Sequence, residues 1–337
     1  MKRRVHIIAA ALVAVAVAAS VAFARSDAKP TGTGVVVIDT NLAYQGGEAA
    51  GTGMVLNSSG EILTNNHVIR GATAIKIVVP ATGRRYTAKV VGYDPSADVA
   101  VLQAVGASNL RTVTLGNSAT LKVGRRVTAI GNAGGTGKLT SSSGKIVATS
   151  RSITVSDDQG GSERLSRLIE TNASVQPGDS GGPLESTQGK VVGIDTAASI
   201  GRGFQQTAAG NGFAIPINRA LAVVKQIVSG TSSTTVHVGD TAFLGVSLGP
   251  ARTYGPFGYA AAGALVEGVV PGGAADAGGL TAGDVITSID GHKVASPDAV
   301  APLLLTKHPG DQVSLGYIDQ AGASHTATIT LASGPPQ

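Results

Sequence analysis

Between Gly34 and about Val192 the sequence never settles into a long period. β-branched runs such as Val35–Ile38, Ile75–Val79, Ala88–Val91 and Val99–Leu102 are cut off by turn signals, among them Asn57-Ser58-Ser59-Gly60 and Thr82-Gly83. Apolar runs this short and this closely spaced restrict the chain to an antiparallel barrel or sandwich. Glycine agrees with that reading: 47 residues without a G-X-Y period imply many turns, not a triple helix. Aromatic residues make up only 3%, so Val, Ala, Ile and Leu must fill the core.

Helical periodicity arrives late. Ile217, Ala220, Leu221, Val224, Ile227 and Val228 recur at the three- and four-residue spacing of one helix face, and Gly230 supplies a stop. Thr231-Ser232-Ser233-Thr234-Thr235 then reads as a polar linker. The texture changes after it, to strand, Gly/Ala-rich turn, strand, helix and two strands, the size of one small domain. The expected organisation is a β domain over 34–230, a linker over 231–238 and a second domain over 239–334. Residues 25–33 are read as a linker too.

The first 24 residues stand apart. Lys2, Arg3 and Arg4 precede an apolar run from Val5 to about Ala22, and Ala22-Phe23-Ala24 has the small-x-small form of a cleavage site. This is the pattern of a signal peptide, and its length also suits an uncleaved membrane anchor. The body of the protein is expected outside the cytoplasm: secreted, associated with the cell wall, or anchored to the outer face of the plasma membrane. Three of the 26 basic residues lie in this segment, leaving 23 against 21 acidic ones. No Lys/Arg cluster remains to suggest nucleic acid. An exported chain without cysteine has neither disulfides nor thiolate-bound metal.

The chemistry concentrates in Gln176-Pro177-Gly178-Asp179-Ser180-Gly181-Gly182-Pro183. Glycine on both sides of a serine allows backbone N–H groups to approach a ligand closely. If Ser180 is a nucleophile, it needs a base and a group to orient that base. Of six histidines, His67 follows Ile62-Leu63 in Thr64-Asn65-Asn66-His67-Val68, at a strand end. Asp98 opens the apolar strand Val99–Leu102. His, Asp and Ser follow in that order, 31 and 82 residues apart.

With these flanks the sequence resembles a trypsin-fold serine protease of the Deg/HtrA type, similar to exported actinobacterial members with a C-terminal PDZ domain. The resemblance implies a trypsin-like double antiparallel β-barrel followed by a small α+β PDZ domain. It makes His67 the general base and then acid, Asp98 the group that fixes its tautomer, and Ser180 the nucleophile. The oxyanion hole falls on the backbone of Gly178, Asp179 and Ser180, with Gly178 and Ser180 as donors. Ser174, six residues before the nucleophile, belongs near the base of the specificity pocket. Thr196, Ala197 and Ala198 resemble the strand along its wall. Phe213 and Ile215 match the neighbouring segment, and 151–167 and 199–210 match loops that relay activation. No metal or cofactor is implied.

In the second domain, Phe243-Leu244-Gly245-Val246 resembles the carboxylate-binding loop and first groove strand of a PDZ domain. Gly268–Ala275 and Gly279–Ile286 match the turn and strand that follow. Ser296-Pro297-Asp298 is a good helix start. Pro302 falls inside the expected groove helix, where proline costs about 3 kcal/mol and kinks the axis. The implied function is an exported serine endopeptidase acting on unfolded or exported proteins, with peptide C-termini bound at the PDZ domain. A homotrimer is implied by the resemblance alone. The alternative is a peptide-binding chaperone or scaffold whose protease domain rests in an inactive state.

Overall fold

A computed structural model describes residues 32–156, 162–196, 211–251 and 262–337. The segment 1–31, Ala197, Ala198 and the loop 199–210 lie outside the described residues, as do residues 157–161 of the expected loop 151–167.

Six strands form a first barrel: β1 (Val35–Leu42), β2 (Gly47–Val55), β3 (Glu61–Thr64), β4 (Ala74–Val79), β5 (Arg84–Asp94) and β6 (Val99–Ala104). Their order runs β5-β4-β1-β2-β3-β6, and the pairing of β6 back onto β5 closes the ring. The short helix α1 (Asn66–Ile69) interrupts the chain between β3 and β4. A second closed barrel contains β7 (Arg126–Gly131), β8 (Thr140–Ser156), β9 (Ser162–Thr171), β10 (Pro183–Ser186), β11 (Val191–Thr196) and β12 (Gly212–Pro216). Closure leaves no free sheet edge in either ring, which suits an all-antiparallel chain. Of the two architectures that the short runs allow, the barrel is the one formed.

The shortage of aromatics is met by aliphatic packing. Ile38, Ile62, Ile77 and Leu102 are fully buried inside the first barrel, together with the ring of Tyr93. Between the barrels, Met54, Leu63 and Val101 meet Leu168, Ile194 and Ile215. Helix α2 (Ile217–Val228) seals this seam with Ile217, Ala220, Val224 and Ile227, the face that the sequence periodicity marks. Its end is built locally: Thr231 N–H donates to Gln226 O, Gly230 N–H donates to Ile227 O, and Gly230 takes φ +73°. That is a Schellman stop, and the positive φ is what requires glycine.

The expected linker 231–238 is not loose along its whole length. Its last two residues form β13 (His237–Val238), which pairs with Tyr93 and Gly92 at the edge of β5. Polar composition suggests freedom, but backbone pairing with a barrel strand takes it away. The PDZ domain follows with β14 (Thr241–Phe243), β15 (Val246–Pro250), β16 (Ala264–Val269), α3 (Ala274–Ala277), β17 (Val285–Ile289), β18 (His292–Lys293), α4 (Val300–Leu304), β19 (Gln312–Ile318), β20 (Ser324–Thr330) and β21 (Ala332–Gly334). The main sheet runs β15-β16-β17-β19-β20, so β15 is an edge strand.

Pro302 does not carry the expected penalty. The groove helix divides into a tight turn over Pro297–Ala299 and the five-residue α4, and Pro302 is the third residue of α4. An N–H in the first turn has no partner inside the helix, so proline is tolerated there.

Candidate active site

His67 and Asp98 lie at the same end of one strand pair, β3 and β6, which run antiparallel from Thr64↔Ala100 to Glu61↔Gln103. After β3, Asn65 is extended and starts α1, which buries Val68 and Ile69 and leaves His67 half-exposed. Before β6, the turn Pro95–Ala97 ends on Asp98 in the left-handed conformation, φ 53° and ψ 48°. Aspartate is among the few non-glycine residues that visit this region readily. The Asn65 amide fastens the two turns by donating to the Asp98 carbonyl at 2.8 Å.

The Asp98 carboxylate is buried and accepts from several donors. His67 backbone N–H reaches Oδ1 at 3.0 Å, and His67 Nδ1 lies 3.0 Å from Oδ1 and 2.9 Å from Oδ2. Thr196 Oγ1 donates to Oδ2 at 3.2 Å. Because a carboxylate only accepts, the shared proton sits on Nδ1 and Nε2 carries the lone pair. Thr196 was expected on the pocket wall. Its side chain is instead turned into the protein to hold Asp98, because a hydroxyl buried beside a carboxylate donates to it.

Ser180 enters from the other barrel, on the loop between β9 and β10. Two turns shape this loop: Asp179 N–H donates to Gln176 O, and Gly182 N–H donates to Asp179 O, each at 2.9 Å. The Asp179 carboxylate accepts from Gln176 N–H at 2.9 Å. The Asp179 amide was expected as part of the oxyanion hole, but it is turned inward to Gln176, which leaves Gly178 and Ser180 as that reading's donors. Gly178 has φ +92°, and a Cβ there would stand 2.2 Å from Asn132 O. Only glycine fits.

One residue of the first barrel grips this loop. Thr52 N–H donates to Ser180 O at 2.8 Å, and Thr52 Oγ1 donates to Gly178 O at 2.7 Å. The same hydroxyl accepts from Asn132 N–H at 2.9 Å. Thr52, Asn65 and Asn132 were missed by sequence reasoning. The only local hint is Gly51-Thr52-Gly53, glycines that let β2 pack closely against Val68, Ile38 and Ile62. Ser174 is half-buried, donates its backbone N–H to Ser142 Oγ at 2.8 Å and holds no charge. Asp195, next to Thr196, is fully buried; burial first, and then the neighbouring Asp179, push its carboxyl well above the usual range. A cavity of about 680 Å³ lined by Leu115, Thr120, Arg125, Ser186 and Lys190, among others, includes none of the site residues.

Phe243, Leu244, Gly245 and Val246 divide their roles. Leu244 is buried in the PDZ core, and its carbonyl accepts from Ala275 N–H at 2.9 Å. Gly245 turns with φ +79°, and Val246 opens the edge strand β15. Phe243 faces the protease domain and stacks on Tyr44 with ring centroids 5.2 Å apart.

Comparison with known proteins agrees with this architecture. Residues 51–194 match the trypsin-like peptidase domain, and residues 265–318 match the PDZ domain. The serine protease PepD of Mycobacterium tuberculosis is 33% identical over 309 residues, covering 88% of this chain and 63% of that protein. The periplasmic serine endoprotease DegP of Escherichia coli K12 is 34% identical over 271 residues, covering 80% of this chain and 54% of that one. The chain thus spans less than two thirds of the length of these relatives. The structure of the HtrA-type protease AlgW with a tripeptide is 31% identical, with a TM-score of 0.51, covering 90% of this chain and 95% of that one. With two closed barrels, a PDZ domain after them and these relatives, the chain belongs to the Deg/HtrA family of trypsin-like serine proteases.

Proposed function

We propose that the protein is an exported serine endopeptidase that hydrolyses unfolded or exported proteins, and that its PDZ domain binds peptide C-termini by adding a strand beside β15. The observation that carries the reading is the Asp98–His67 pair, with Nδ1 held at 2.9 and 3.0 Å by a buried carboxylate. In this mechanism Ser180 Oγ attacks the carbonyl carbon while His67 Nε2 takes its proton. Asp98 stabilises the resulting imidazolium, which then protonates the leaving amine, and water repeats the cycle in reverse. Gly178 and Ser180 N–H groups stabilise the oxyanion, each contributing about 3 kcal/mol.

Ser174, the residue expected near the base of the pocket, carries no charge, which favours cleavage after small aliphatic residues. The relatives' names place them in the periplasm or call them serine proteases, which supports the export reading drawn from residues 1–24. The tripeptide bound by AlgW supports peptide recognition here. A homotrimer completes the proposal.

Ser180→Ala tests it. The variant should keep its fold and lose about 10⁴ to 10⁶ in kcat on a denatured protein. The wild type should lose kcat/KM as the solution turns acidic and the base is protonated. Equal hydrolysis by the variant would sink the triad. A wild type that binds the denatured protein without cleaving it would favour the chaperone reading.

A further inference from the structure

Asp195 takes no part in the chemistry above, yet it is bonded to the nucleophile loop. Its N–H donates to Gly182 O at 2.8 Å, and its carbonyl accepts from Gly181 N–H at 2.9 Å. These are the two residues that follow Ser180. Its side chain is fully buried, and among the described residues neither carboxyl oxygen has a hydrogen-bond partner of good geometry, only an approach to the Ile130 backbone. Burial and the surrounding carboxyls act together. The nucleophile loop brings Asp179 and β10 brings Glu185, both of which favour the neutral acid, while the Ile130 backbone on β7 opposes them. Strand β12, paired through Ala214, has no titratable residue. Among the described residues no lysine or arginine acts on Asp195. A buried carboxyl with acidic neighbours and no cation is held as the neutral acid.

We propose that Asp195 is a positioning residue for Ser180: as an uncharged acid it supports the loop Asp179–Gly182, and its ionisation disturbs that loop and lowers the reactivity of Ser180. Ionisation releases one proton to solvent and puts a second negative charge beside Asp179 in a site that water does not reach. The strain passes to Gly181 and Gly182 through the two main-chain bonds. This role rests on the serine-nucleophile reading, because reactivity at Ser180 is what it controls.

Asp195→Asn, which keeps the shape and removes the acid, is the test, with two readouts. The first is Tm against pH. The unfolded carboxyl loses its proton near the ordinary value of 3.8, while the folded one keeps it to much higher pH. The unfolded state therefore binds fewer protons in this window, so wild-type stability falls as pH rises from about 4 and levels off above the folded-state ionisation. The variant lacks this term, so its Tm advantage should widen with pH. The second is the rate at which a fluorophosphonate modifies Ser180. The wild-type rate should drop about tenfold for each pH unit above the ionisation, while the variant stays on its plateau.

Superimposable rate profiles would overturn the proposal, as would a Tm difference that does not change with pH. A folded variant that is unreactive at neutral pH would overturn it too, by showing that the acid itself is needed. If Ser180 reacts in neither protein while the Tm gap widens, the serine reading fails and takes the positioning role with it. Should the variant not fold, infrared spectra of the wild type decide: without the carbonyl stretch of a protonated carboxyl at pH 7, the proposal falls.

Discussion

Ser180 sits where three backbone approaches leave no room for side chains. Gly181 has φ +84°, and a Cβ on it would stand 2.0 Å from Thr52 O and 2.3 Å from Thr64 Oγ1. Gly181→Ala must therefore leave the left-handed region, at about 1–2 kcal/mol, and push the loop away from β2. The Thr52 N–H to Ser180 O bond would be the first to go. We expect a fall of about a hundredfold or more in Ser180 reactivity, the scale set by displacing a reacting group by about 1 Å. Circular dichroism should stay native while Tm falls. Wild-type reactivity in this variant would show that the close approach is not required. His67, Asp98 and Ser180 were readable because each lies in a local motif with its own flanks. Thr52, Asn65 and Asn132 were not, because their role consists of bonds to residues far along the chain. Thr196 shows the same limit in reverse: its position on β11 suggested a pocket, and its hydroxyl goes to Asp98.

Strands and helices were legible wherever a local signal bounds them. The apolar face of α2 and its Gly230 stop needed no tertiary information, since a 3.6-residue period and a glycine at C′ are properties of neighbouring residues. Pro302 was misjudged because the sequence does not say where the helix around it begins. In the proposed reading, peptide recognition turns on β15, the edge strand of the described sheet. A peptide with a free carboxylate and an apolar last residue should bind beside Val246, its charge met by backbone N–H groups near Gly245. The same peptide with an amidated end should bind at least about tenfold more weakly, because charge-assisted hydrogen bonds are roughly twice as strong as neutral ones. Titration of both forms by calorimetry would measure this, and equal affinities would remove the carboxylate loop from Phe243–Val246.

The two domains are held together by more than a tether. Leu305, just past α4, packs into the core cluster of the first barrel. His237 is buried between them, with Nδ1 donating to Leu305 O at 2.7 Å, and its ring lies 5.1 Å from that of Tyr93. Tyr93 hydroxyl and Thr241 Oγ1 are 3.2 Å apart, and Tyr44 stacks on Phe243. Near the active site, Asn66 Nδ2 donates to Gln337 O at 3.0 Å and Gly71 N–H donates to Pro336 O at 2.8 Å, so the segment after β21 touches both ends of the His67 helix. Leu305→Asp should cost at least the 2–5 kcal/mol that truncating a buried leucine costs, since it adds an unpaired charge. Scanning calorimetry should then show two transitions where the wild type shows one. A single unchanged transition would mean that the contact is energetically idle.

By itself the sequence determined the fold class and the family, and it put His67, Asp98 and Ser180 forward as the reacting residues. Those are written in short-range patterns: strand-length runs, turn residues, one helical period, and motifs whose glycines must lie beside the reacting group. Tertiary structure alone decided which hydroxyl holds Asp98, that Thr52 grips the nucleophile loop across the barrels, that Asp195 is buried beside Asp179 and Glu185, and that the chain after α2 docks on β5. Each of these depends on residues brought together from distant parts of the chain, and burial then gives their hydrogen bonds and charges a weight that composition does not reveal.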